Sequence, residues 1–217
     1  NIALKMSICL YNIQVFLEGR GPVTLRPSNH VATGGEGSIY RVSDLAVKMY
    51  LDPEKMKQRG IPARVAKLSV LLKHPYIVAP IGLAVTQAGD PVGHYLPFIE
   101  DPPIAHPLSR VFTNDFYQSE SFTDKLASVL VDRMRETVLF AHDQGAILVD
   151  PNELNWFALS VKQDPEPRVI DVDSWVIGQM PSTVAIMPSI RDWHTKNRPR
   201  KRLVFVGCCN FSNLYGH

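Results

Sequence analysis

The 217 residues include 45% hydrophobic side chains and 23 basic against 21 acidic groups, a formal net charge of +2. That length and apolar content suffice for one sizeable domain or two small lobes with real cores. The near balance of charge argues for neither a nucleic-acid nor a membrane partner, and no apolar run reaches the length of a membrane span. Cys9, Cys208 and Cys209 have neither metal-ligand spacing nor a disulfide framework. With no signal-peptide pattern either, a soluble cytoplasmic protein is expected. Residues 1–5 carry no structural weight in this reading, and Met6 is a candidate initiator.

In chain order, ICLYNIQVFL is interrupted by Asn12 and Gln14 and suits a strand. QVFLEGRGPVTL predicts strand, glycine-containing turn, strand. VATGGEGSIYRV adds a glycine turn leading into a strand, LAVKMYL adds another, and Ser43 and Asp44 turn the chain between them. Asp52-Pro53-Glu54 predicts a helix start. Gly60 and Pro62 interrupt it, and ARVAKLSVLLK resumes with Val65, Leu68, Leu71 and Leu72 on one face. HPYIVAPIGLAV and GHYLPFIE are further strand-like runs. These strands and one helix over residues 14–96 predict a small antiparallel lobe.

Residues 97–107 hold four prolines, ends included, and two acids, which predicts a stiff connector. The pattern then turns helical. Residues 123–142 give the strongest helix, with Leu126, Val129, Leu130, Met134, Val138 and Leu139 at helical spacing and Gly145 as its stop. Residues 146–149, 156–161 and 168–172 are short strand candidates around a polar loop.

That loop carries the chemistry. Asp150 is followed five residues later by Asn155 and sixteen beyond that by Asp171, in LVDPNELNWFAL and RVIDVDSW. A base for an acceptor hydroxyl and two hard oxygen ligands for Mg²⁺ are what phosphoryl transfer requires. Upstream, in VATGGEGSIY, Ala32, Gly34, Gly37 and Ile39 occupy the marked positions of a G-x-G-x-x-G-x-V pattern. Glycines there let main-chain N–H groups approach phosphate oxygens. Lys48 lies mid-run in LAVKMY and needs either solvent or an anion. The plainer readings are a glycine hairpin, an edge-strand lysine, an Asx turn at Asp150 and a solvent-facing strand end at Asp171 and Asp173. His142 reads as structural, Trp156, Trp175 and Trp193 as core.

In these residues the chain resembles the protein-kinase-like superfamily from Gln14 onward. More narrowly it is similar to bacterial kinase-like proteins found alongside tellurite-resistance and von Willebrand A-type proteins, which carry GGEG and Asp-Val-Asp-Ser strings. The resemblance implies an α+β, bilobal protein-kinase-like fold: a small antiparallel-sheet lobe over residues 14–96 and an incomplete, mainly helical lobe over 108–197. It implies a serine/threonine-protein kinase, a transferase using ATP and Mg²⁺. ATP would meet Val31, Gly34, Gly35, Gly37, Ile39, Ala46 and Lys48, with hinge backbone at Phe98, Ile99 and Glu100 against the adenine. Asp150 and Lys48 would be catalytic, Asn155 and Asp171 metal ligands, and a protein Ser/Thr the acceptor.

Several positions depart from that pattern. Leu148-Val149 replace His-Arg before Asp150, Asn152 stands where a loop lysine is usual, and Asp173 replaces a glycine. No Asp or Glu lies between Glu54 and Asp90 to orient Lys48. A nucleotide-binding pseudokinase or scaffold, a small-molecule kinase and a non-kinase binding domain therefore stay open. The basic run at 198–202 opens a tail, RPRKRLVFVGCCNFSNLYGH. Shifting its back-translation one nucleotide admits a string with Ala-Pro-Glu and Asp-Trp. Residues 198–217 are thus expected to be a frameshifted translation ending a truncated chain, with the inferred chemistry that of the parent protein and the activity of the fragment left open.

Overall fold

The computed structural model describes residues 11–100, 105–150 and 152–183. They cluster into two compact units, one of residues 11–73 and 78–100 and one of 74–77, 105–150 and 152–183.

In the first unit, β1 (Ile13–Leu17), β2 (Gly21–Leu25), β3 (His30–Thr33), β4 (Gly37–Val42), β5 (Leu45–Tyr50), β6 (Gly82–Val85) and β7 (Pro91–Pro97) form one sheet in the order β2-β1-β6-β7-β5-β4-β3. Every neighbouring pair is antiparallel. The β1–β2 turn uses Gly19 and Gly21 at φ +74° and +91°, angles that side-chain-bearing residues rarely adopt. Alternation along β5 sends Leu45, Val47 and Met49 into a core with Val15, Leu17, Leu25, Tyr40, Ala84 and Tyr95. Its opposite face, bearing Tyr50, is covered by α1 (Pro53–Gln58) and α2 (Ile61–Leu71) through Met56, Ile61 and Val65. Burial on both faces explains the nearly unbroken apolar string of β5. The Asp52 carboxylate caps α1 by accepting from the Lys55 amide at 3.0 Å.

In the second unit, β8 (Ala105–Pro107), β10 (Trp156–Leu159) and β11 (Glu166–Val169) form a three-stranded sheet, and β9 (Ala146–Ile147) pairs with β12 (Val176–Ile177). Two short helices, α3 (Leu108–Val111) and α4 (Asn114–Ser119), precede α5 (Asp124–Asp143), which Thr123 caps by accepting from the Leu126 amide. Leu130, Met134, Val138 and Ala141 form the buried stripe of α5. Leu139, expected on that stripe, is 51% exposed because it sits about 100° round the helix from Val138. Trp156 and Trp175 are buried core residues.

The expected α+β, bilobal kinase-like fold with a mainly helical second lobe is overturned. The described chain is mostly β, built on one large, curled seven-stranded antiparallel sheet with few helices. Two local features account for the error. Strand β3 lies at a sheet edge with Val31, Ala32 and Thr33 all exposed, so it has no period-two pattern to read. The five strands of the second unit span two to four residues each, too short for periodicity. Residues 105–107, expected within a connector, form β8. Cys9, Trp193, Cys208, Cys209 and the basic tail lie outside the described residues. Among the described residues no helix is long and apolar enough to cross a membrane.

Gly93 faces Met49 across the β5–β7 ladder, and a Cβ there would stand 2.3 Å from the Lys48 carbonyl oxygen. Gly93→Ala is expected to lower the unfolding free energy by about 3 kcal/mol through forced strand separation. Gly35→Ala, with nothing within 4 Å, should stay within about 0.5 kcal/mol of the parent. Urea titration of both variants checks the contrast.

Burial holds the imidazoles of His74 and His142 below their ordinary value, with Glu136 and Asp143 opposing the shift only in part. Below about pH 6.5 the unfolded chain therefore binds more protons at these sites than the folded one, and stability falls with acidification. Replacing both by glutamine should flatten the loss between about pH 7 and pH 5. An unchanged slope in thermal melts across that range would refute the assignment.

Candidate functional site

The sequence-predicted residues fall into two groups, one in each unit. In the first, Lys48 occupies the interior strand β5, opposite Ile39 of β4 and His94 of β7. Directly opposed residues share a sheet face, so Lys48, Ile39 and His94 lie on one side together with Ala46 and Tyr50. Lys48 is half-buried, whereas Ala46 and Tyr50 are buried. An edge-strand lysine is thus ruled out by position.

Gly37 opens β4 and is buried; a Cβ there would lie 2.8 Å from the Met49 carbonyl oxygen and 3.1 Å from Lys48 Cγ. Its lack of a side chain is therefore required first by the Met49 main chain, with the stem of Lys48 close beside it. Gly34 closes the turn, its amide donating to the Gly37 carbonyl at 2.9 Å, and the space around Gly35 is open. The turn is anchored by Glu36, which accepts from Arg59 at the end of α1 at 2.7 Å. Val31, 47% exposed, lies where the β3–β4 register shifts.

Of the backbone expected to face adenine at Phe98, Ile99 and Glu100, the Phe98 amide is engaged within the first unit. The Phe98 amide donates to the Asp44 carbonyl at 2.9 Å, and the Arg41 guanidinium lies 4.5 Å from the Phe98 ring centroid. Glu100 is ion-paired to that same guanidinium. Ile99 is half-buried beside them. Sequence reasoning passed over His94, whose Nδ1 lies 3.1 Å from the Tyr50 hydroxyl in a buried pair next to Lys48. A histidine inside the apolar run VGHYLP was the available signal.

In the second unit, buried Leu148 and Val149 lead out to half-buried Asp150. Asn152 accepts from the Leu154 amide at 2.9 Å, which starts a 3₁₀ turn over Glu153–Asn155. The Asx turn is therefore centred on Asn152, leaving the Asp150 carboxylate outside it. Asn155 Nδ2 donates to Asp150 Oδ2 at 3.3 Å and to the Asp150 carbonyl at 3.4 Å. The Asn155 carbonyl in turn accepts from the Ile170 amide at 2.9 Å, one residue before Asp171. Hydrogen bonds through one asparagine thus join Asp150 to the segment immediately before Asp171.

Asp171 has φ 59° and ψ 32°, a left-handed conformation that costs a non-glycine residue about 1–2 kcal/mol. Its carbonyl accepts from Ser174 Oγ at 2.9 Å and the Ser174 amide at 3.2 Å, which fixes the turn. The following residues Val172, Asp173, Ser174 and Trp175 are buried.

Among the described residues, no three His, Cys, Asp or Glu side chains gather into a metal-holding group. Two carboxylates and one carboxamide are an all-oxygen set that suits a cation keeping most of its waters, as Mg²⁺ does. No family model matches this chain, and no curated protein matches it significantly.

Asn155→Asp would set a second carboxylate 3.3 Å from that of Asp150. The variant is expected to lose about 1–2 kcal/mol at neutral pH, since like charges at that distance resist joint ionisation. The loss should shrink on acidification and with millimolar Mg²⁺. Denaturant titrations at several pH values, with and without the cation, read this directly.

Proposed function

We propose that the chain binds ATP with Mg²⁺ and transfers its γ-phosphoryl group to a hydroxyl acceptor, with protein serine or threonine as the acceptor class and the cytoplasm as its place of work. The observation that carries this reading is the double tether of Asn155, to Asp150 by its side chain at 3.3 Å and to the Ile170 amide by its carbonyl at 2.9 Å. In this reading Asn155 and Asp171 hold the cation, which when bound neutralises charge on the phosphates. Asp150 orients the acceptor hydroxyl and takes its proton at the carboxylate. Lys48 offers an ammonium to the α- and β-phosphates, and the turn at Gly34, Gly35 and Gly37 offers approachable main-chain amides. The support lies in the chemistry of these residues and not in the architecture.

Nucleotide binding without transfer is a second reading, favoured by a specific observation. Helix α2 contains no carboxylate and buries Arg64 instead, so it brings no acid toward the lysine strand. Asn152, two residues after Asp150, adds no positive charge for the γ-phosphate.

The experiment is thermal unfolding with ATP, with Mg²⁺, and with both, followed by radiolabel transfer to a serine/threonine-rich protein. ATP at about a hundred times its dissociation constant should add about 2.7 kcal/mol of apparent stability. Lys48→Ala and Asp171→Asn should abolish that gain. Asp150→Asn should leave binding intact and slow transfer by about 100-fold or more. Binding without transfer selects the second reading, and no stabilisation by ATP with Mg²⁺ defeats both.

A further inference from the structure

The β3–β4 hairpin carries three linked side chains that the chemistry above does not use. His30 Nε2 lies 2.8 Å from Thr33 Oγ1, which lies 2.9 Å from Ser38 Oγ. Ser38 is 1% exposed, whereas Thr33 is open to solvent. The His30 ring is steadied by an edge-to-face contact with buried Tyr40, centroids 5.5 Å apart. A hydroxyl within hydrogen-bond reach of an imidazole that a third group holds in place is the arrangement that activates a serine or threonine. With its proton given to His30 and one lone pair taken by Ser38, Thr33 Oγ1 keeps one lone pair directed to solvent. His30 also lines an open cavity of about 340 Å³ together with Asn29, Val31 and Arg41.

We propose that Thr33 is a covalent modification site that accepts a phosphoryl group from a phosphoric anhydride, with His30 as its general base. Thr33 Oγ1 attacks phosphorus, and a new O–P bond forms as the bond to the leaving group breaks. The hydroxyl proton passes to His30 Nε2. A nucleoside triphosphate releases the diphosphate in this step, and an acyl phosphate releases the carboxylate. Use of the nucleotide rests on the function proposed above, favoured by the position of Thr33 directly before the Gly34 turn; use of the acyl phosphate does not.

The test incubates the protein with ATP and Mg²⁺, and separately with acetyl phosphate, before peptide mass spectrometry. One added phosphoryl group at Thr33 is expected, kept in Thr33→Ser and formed about 100-fold more slowly in His30→Gln. His30→Asn serves if circular dichroism shows that the glutamine variant is unfolded. Labelling of Thr33 by acetyl phosphate alone supports the site while counting against the nucleotide reading. Labelling by ATP at other residues with Thr33 bare overturns the site and leaves that reading standing. No label at Thr33 from either donor, or an undiminished rate in the histidine variants, overturns the proposal.

Discussion

Crowding around β5 is the constraint on which the first unit depends. The strand is buried on both faces and hydrogen-bonded on both edges, so its neighbours must come close without side chains in the way. Gly37 on one side and Gly93 on the other make this possible, since a Cβ at either would meet β5 main chain at 2.8 Å or 2.3 Å. Close-packed interiors give little room to absorb such contacts. The half-buried Lys48 sits between these two clearances, opposite Ile39 and His94. The two glycines are thus one packing solution, in which the lack of a Cβ at residues 37 and 93 lets both neighbouring strands approach the β5 main chain.

The second unit solves a different problem, holding polar groups in place on short irregular segments. Strands of two to four residues contribute little ordering of their own. Order in the polar loop comes instead from Asn152, Asn155 and Ser174, each hydrogen-bonding to main chain nearby. Asp171 is kept in a conformation that L-residues avoid, and its carbonyl is satisfied twice by Ser174. The strain at Asp171 is held in place by these surrounding hydrogen bonds.

Some of this was legible from residues alone. The cap at Asp52, the break at Gly60 and the long helix ending at Gly145 follow from short-range preferences, and the structure has α1, α2 and α5 at those places. The polar loop was legible as a loop because asparagine, aspartate and proline cluster between apolar runs. The sheet was not legible at its true size, since β3 is exposed along most of its length and carries no alternation. A resemblance in short strings led to a helical second lobe, yet such strings specify local chemistry and leave architecture open.

By itself the sequence determined the local elements: helix starts and stops, the turn glycines, the apolar strand centred on Val47, and the oxygen-bearing residues near Asp150. These depend on backbone preferences over a few residues, which a linear reading contains. Only the tertiary structure decided the strand order, the placing of His94 opposite Lys48, the clearances at Gly37 and Gly93, and the joining of Asn155 to the segment before Asp171. Each of those depends on register between distant segments, and register is set by packing and ladder hydrogen bonds that no local preference encodes.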